Sequence, residues 1–444
     1  MLPVIDHTVP LLVKGYGWLP DLRRRHGGAA VVRTRIAGRP TVVLHGPGAV
    51  EFFYDERNVR RHGALPGPVL DTLFGRGAVH TLDGDAHRVR KGAFVSLLMR
   101  ERGIEALLDL VGRHWDEAVP TWAGREVVLF EETARVLARA VCDWAGLPVS
   151  QERARELAAD CLAMVDGFAT AGPRHWRARA ARGRQERALT HVVEEVRAGV
   201  APLGPAAHHG DGGGRSVLET VARHRDADGR LPDSRTAAVE LLNIIRPTVA
   251  ISWFAAFAAH ALHRDPRQGE ALRSGDGSAH AGGLGDAYAL AFAHEVRRFY
   301  PFVPFLGALA ARDTRFGDEP IEAGSMVLLD VYGQHHDPAL WPDPYRFVPQ
   351  RFLGNEIAPG VLIPQGGGDP STGHRCPGED ITVRVLARLA TALARLDAEV
   401  PRQDLAIPLD RIPTRPRSGF VVRVAARRSS PERGRDHEHD RTAQ

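Results

Sequence analysis

Six consecutive residues, His374-Arg375-Cys376-Pro377-Gly378-Glu379, stand just ahead of an amphipathic helical pattern running from Ile381 to Leu396. A thiol beside an arginine and near a helix N-terminus has two reasons to ionise, and a thiolate is a strong metal ligand. Pro377 and Gly378 suit a tight turn that lets backbone approach the sulfur. Cys142 and Cys161, by contrast, fall inside helical patterns and read as ordinary buried thiols.

A second unusual residue is Arg246, set with Pro247 in the apolar run ELLNIIRPTVAIS. A guanidinium there costs several kcal/mol (~3–5) unless it is paired. Pro247 removes one helical hydrogen bond, which predicts a free carbonyl at Asn243 and a bend. Two readings of Arg246 stand: an internal salt bridge, for which Glu240 is the nearest acid, or an anchor for a carboxylate ligand. A third constellation is Glu295-x-x-Arg298, whose spacing puts both side chains on one helix face. Arg351, in Val348-Pro349-Gln350-Arg351-Phe352, is a candidate third member, and the role expected of this group is structural.

The elements that must hold these residues are mostly helical. Residues 31–45 alternate around Gly-Arg-Pro and read as a hairpin. Apolar residues recur at three and four positions through much of 85–198, in one long apolar helix over 234–263, and again over 286–300. Strand-like segments return between 305 and 331. Stretches 199–215 and 274–286 read as exposed loops. One domain over residues 1–426 is expected, followed by a charged, disordered tail over 427–444.

Of 58 basic residues only two are lysine, Lys14 and Lys91, so the net charge of +4 reflects a general arginine bias. No basic stripe interleaved with aromatics occurs, and nucleic acid is excluded as a partner. Three cysteines argue against a disulfide framework and for a reducing, cytoplasmic setting. The longest apolar stretch, Thr248 to Leu262, falls short of the roughly 20 residues a membrane span needs, so no stable membrane insertion is expected.

Taken in order, Glu295-x-x-Arg298, the Pro-x-Arg-Phe arginine and the Cys-Pro-Gly loop resemble the cytochrome P-450 superfamily. The resemblance implies a haem-thiolate fold, mostly α with minor β sheets, holding haem b with Cys376 as the iron ligand. Two departures narrow it. The superfamily loop has Phe seven residues and Gly four residues before the cysteine, where this chain has Asp369 and Thr372. The acid–threonine motif that activates oxygen in the central helix is missing from 234–263. Arg246-Pro247, IPQGGG at 363–368, HRCPGE at 374–379, MVDGF at 164–168 and RRFYPFVPFLGAL at 297–309 resemble instead the bacterial fatty-acid peroxygenases, which include alkene-forming decarboxylases. The likeness runs over roughly residues 5–425.

The branch implies hydrogen peroxide as oxidant, no required redox partner, and oxidation of a fatty acid at Cα or Cβ. Products would be terminal alkenes by decarboxylation, 2- and 3-hydroxy acids, or both. Arg246, with Pro247 beside it in the catalytic set, would hold the substrate carboxylate, and that carboxylate would shuttle a proton for peroxide as a general acid–base. His80 matches the position that is His in alkene-forming members and is expected to donate a proton near the iron, since His titrates near neutrality. Phe74, Ala171, Phe302 and Val303 match pocket-lining positions, while Arg61, His87, Lys91 and Gln365 match positions near the haem propionates, and Arg375 is a further propionate candidate. Two alternatives differ in class: a reductase-dependent hydroxylase and a non-catalytic haem or fatty-acid binder.

Overall fold

In the computed structural model, residues 6–168, 170–200, 215–274 and 284–426 are described. The expected tail over 427–444 and most of both expected loops lie outside them.

The hairpin forms as expected, pairing Val31–Ile36 with Arg39–Leu44. Its turn, however, is Ala37-Gly38, both at positive φ, and Arg39 and Pro40 already belong to the second strand. Met326–Asp330 joins that strand in parallel, Phe305–Ala310 follows antiparallel, and Val59–Arg60 closes a five-stranded sheet. Side chains alternate across it. Val42, Leu44, Val327 and Leu329 pack under one face with Phe53, while Val43 and Leu328 face Trp18 and Leu22 on the other.

The larger core is helical. The apolar run of 234–263 forms Ser234–Val249 and Ile251–Arg264, interrupted at Ala250, three residues after Pro247. Most residues of both pieces are buried, continuously over 237–261 but for Pro247 and His260, against helices Leu129–Ala145, Pro173–Ala198 and Glu379–Arg395. This 31-residue stretch is long and apolar enough to cross a membrane, yet its apolar window is 94% buried inside the protein. The sequence pattern marks the centre of the core.

The acidic helix pair member Glu295 lies on Leu284–Phe299. Its carboxylate, fully buried, is bound by Arg298 at 2.7 and 2.8 Å and reached by Arg351 at 3.4 Å. Arg298 also donates to the carbonyls of His335, Pro344 and Arg346, and Glu295 accepts from the Val348 amide at 2.7 Å. This network pins the irregular segment 335–352 to the helix, and that segment leads to the Cys376 loop.

Candidate active site

The loop before Glu379–Arg395 folds back on itself, with the Cys376 amide donating to the Gln365 carbonyl at 3.1 Å. The glycines of IPQGGG have a steric reason. A Cβ on Gly366 would meet the Tyr54 hydroxyl at 2.3 Å, and one on Gly367 would meet Val50 at 2.2 Å. The loop can therefore lie flat against helix Pro47–Tyr54 only without side chains at these positions.

Cys376 lies deep in the fold yet is not sealed by packing, so its sulfur faces internal space. Burial pushes its thiol pKa up, against the opposing pull of the Gly378 amide, Lys91 and Gln365. Arg375 feels the charge of Cys376, as its place beside the thiol suggested, and is shared with two other partners. It donates to Glu379 at 2.7 Å and to the Gly368 carbonyl at 3.3 Å. A metal at the sulfur would supply the missing charge and hold a thiolate outright.

Two residues expected near the haem propionates make contacts within this loop. Gln365 directs its side-chain N–H toward Cys376 Sγ at 3.7 Å and toward Thr382 Oγ1 at 3.0 Å. Its orientation is set by Arg297, which donates to Gln365 Oε1 at 2.8 Å and also pairs with Glu379. Lys91, 4% exposed, donates to the carbonyls of Gly373 and Arg375 at 2.8 and 2.5 Å. In a chain with two lysines, this one latches the cysteine loop. Burial lowers its pKa to about 8.

A cluster that does fit an anionic group stands beside it. Arg61 is buried over the Phe53 ring at 4.2 Å, with Nη1 lacking a partner. His87 is buried with Nδ1 unpartnered, and its ring stacks on that of His374 at 3.8 Å, whose Nε2 is likewise unpartnered. Burial lowers the His87 and His374 pKa values to about 4 and about 2. His374 Nε2 also lies 3.8 Å from the carboxylates of Glu56 and Asp83, and these three buried nitrogens beside Cys376, none with a hydrogen-bond acceptor, fit the carboxylates of a haem. His374 escaped the sequence reading; its adjacency to Cys376 was the available signal.

Arg246 is 6% exposed and has no carboxylate partner among the described residues. Its Nη2 donates to Asn243 Oδ1 at 3.3 Å, and its Nε has no partner. Burial, reinforced by nearby Arg182, lowers its pKa to about 9. The salt bridge to Glu240 does not form. Glu240 accepts from the Val79 amide at 2.7 Å, from Arg90 at 3.4 Å and from Asn243 at 3.4 Å. Asn243, another residue the sequence reading passed over, thus joins Glu240 to Arg246 along one stripe of the helix. Its side chain also donates to the Phe74 carbonyl at 2.8 Å. Thr248 sits on this helix, but its hydroxyl is taken by the Ile244 carbonyl.

Phe74 bridges the next contact. Its ring lies 5.8 Å from the Arg246 guanidinium and 4.6 Å from His80. Burial and Arg246 lower the His80 pKa to about 3. The ring is therefore neutral at pH 7 rather than titrating near neutrality as its residue type suggested. A neutral imidazole still offers one N–H and one acceptor nitrogen, and its Nδ1 has no partner. Phe302 and Val303 line a crevice with Arg297 and Pro364, and Phe302 packs on Phe254 at 4.9 Å. Ala171 is exposed in the turn before Pro173–Ala198.

A family model described as cytochrome P-450 matches residues 287–421. Cyclooctat-9-en-7-ol 5-monooxygenase of Streptomyces melanosporofaciens is 34% identical over 103 residues, 22% of each chain. Cytochrome P-450 4A11 of Homo sapiens is 33% identical over 184 residues, 39% of this chain and 34% of that protein. The chain thus spans between about a fifth and a third of these two curated relatives. Solved structures match nearly end to end. Cytochrome P-450EX alpha with myristic acid has a TM-score of 0.86 and 34% identity over 95% of this chain and 98% of its own. Cytochrome P-450SP alpha in complex with (R)-ibuprophen has 0.86 and 38% over 94% and 98%. A variant of cytochrome P-450 OleT in complex with arachidonic acid has 0.87 and 35% over 96% and 98%.

Proposed function

Because the chain belongs to the cytochrome P-450 family, we propose that it is a haem-thiolate enzyme that oxidises fatty acids at Cα or Cβ with hydrogen peroxide. Haem b with a cysteine thiolate is the family's cofactor, and Cys376 is assigned as its ligand, with Arg61, His87 and His374 at the propionates. When bound, the haem supplies the oxidising chemistry, and thiolate donation favours O–O cleavage.

The observation that carries the substrate is Arg246, a buried guanidinium with no carboxylate partner among the described residues. A fatty-acid carboxylate would supply that partner and accept two parallel N–H bonds. Asn243 holds Nη2 and leaves Nε free, so the arginine is pre-aimed. Phe74 provides an apolar wall for the first carbons of the chain. The held carboxylate can take a proton from hydrogen peroxide and return it to the departing oxygen, work that the central helix gives no acid–threonine motif to do. Substrate binding would complete the site, and no redox partner would be needed. Pro247, exposed on this otherwise buried stretch, stands beside Arg246 just before the break at Ala250 and is assigned to the same catalytic set. His80, neutral, would steer products through its hydrogen bond, giving terminal alkenes together with 2- and 3-hydroxy acids. Three free cysteines agree with a reducing, cytoplasmic setting.

The test mixes haem-loaded protein with a fatty acid and peroxide and identifies products by mass spectrometry. Arg246→Ala should bind haem and lose at least about 100-fold in turnover, on the order of 2.7 kcal/mol of transition-state stabilisation. Full turnover in that variant, or activity only with NAD(P)H and a reductase, would overturn the reading.

A further inference from the structure

A second cavity, of about 380 Å3, opens at the far side of helix Gln151–Gly167. Helices Leu129–Ala145 and Ile251–Arg264 contribute to it, as do the start of Pro173–Ala198 and Arg415. None of Arg246, Phe74, His80 or Cys376 lines it. Ala158, Leu162 and Asp166, four residues apart, present one stripe of their helix to the cavity. Cys161 of the same helix instead feels the charge of Arg246. The two sites are served by different faces.

Phe130, Ala158, Leu162 and Trp253 give it apolar walls, and the rest of the lining is polar, with five arginines against two carboxylates. Both carboxylates are engaged. Glu131 lies 3.8 Å from Arg135, and Asp166 is held by Arg174 and Arg411. That leaves Arg155, Arg177 and Arg415 without a carboxylate at ion-pair distance among the described residues, while Asp166 and Glu131 still act on Arg415 through space. Arg155 and Arg177 are exposed at the mouth. Arg415 lies 4.4 Å over the Phe130 ring, with its Nε buried and unpartnered. Trp253, fully buried on the same lining, also has an Nε1–H without an acceptor. Buried donors left unmade cost stability unless something accepts from them. Apolar walls with a few convergent donors, at a volume within the ordinary range for small-molecule pockets, define a ligand site.

We propose that this cavity binds an amphiphilic carboxylate at a second site, its chain against Phe130, Leu162 and Trp253 and its head on Arg155, Arg177 and Arg415. Guanidinium forks match a planar monoanion. Glu131 and Asp166 on the same lining disfavour a doubly charged head such as a phosphate monoester. The site requires neither peroxide nor Arg246, so its fate is separate from that of the proposed catalytic reading.

Equilibrium dialysis of the haem-loaded protein with labelled decanoate counts moles bound per haem. The triple variant Arg155→Gln/Arg177→Gln/Arg415→Gln should bind one mole fewer than wild type, whatever Arg246→Ala does to the count. The double variant Arg155→Gln/Arg177→Gln changes only exposed side chains, so folding is not at issue; it should weaken the same class of binding at least tenfold. Decanol, uncharged, should fail to displace that class. An unchanged count in the triple variant, an unchanged affinity in the double variant, or displacement by decanol would each overturn the proposal.

Discussion

At the scale of single residues, Gln365 changed its meaning most. Its position suggested a haem propionate nearby, and its side-chain N–H points at Cys376 Sγ, held there by Arg297. Hydrogen bonds to a ligating sulfur withdraw electron density and raise the metal's potential. Gln365→Met, which keeps size and loses the donor, should therefore shift the haem potential to more negative values; redox titration of the variant checks this, and Arg297 with Glu379 should still hold the loop. His80 is a related case. Because its imidazole is neutral, its effect on products should vary little between pH 6 and 8, where an ordinary histidine would titrate. A product ratio that swings across that range would contradict the burial seen here.

Elements impose their own tests. The Glu295–Arg298–Arg351 network joins one helix to a long irregular segment, and its acid and first arginine are wholly buried. Removing one partner strands a buried charge, so Arg298→Ala should cost about 3–5 kcal/mol in denaturant unfolding. In the central helix, Glu240 is buried and its pKa is raised to about 7, by desolvation that Arg90 only partly offsets. A raised folded-state pKa means the contribution is fully present below the unfolded value near 4.5 and is lost as pH rises through about 7. Wild type should therefore lose stability relative to Glu240→Gln as pH rises from about 4.5 to 7, which melting temperatures of the two proteins can compare. Helix boundaries followed the 3.6-residue period closely, since the hydrophobic stripe itself drives burial. The break at Ala250 was foreshadowed only as a bend at Pro247, because where a strained helix yields depends on what packs around it.

Across the whole molecule, the unpartnered nitrogens of Arg61, His87 and His374 converge from the chain segments around 61, 87 and 374 beside the cysteine loop. Haem loading should satisfy them, and ligand binding to the folded state alone raises its stability. The melting temperature should therefore rise on haem addition, and rise less in Arg61→Leu, as calorimetry can measure. Cys376, Arg246 and the Glu295 network were legible from the amino-acid order alone. Each is a local anomaly, a thiol in a glycine-rich loop, a charge in an apolar helix, an acid and a base one turn apart, and local chemistry makes such anomalies visible. Partner assignments were not legible. Lys91 meeting two loop carbonyls, Gln365 meeting sulfur, Asn243 meeting Arg246 and Glu240 meeting Val79 depend on side-chain directions and on distant segments brought within 3–4 Å. So does the neutrality of His80, which burial rather than residue type decides. Residue identity determines which groups can react; only tertiary packing determines which are already satisfied and which are left facing a ligand.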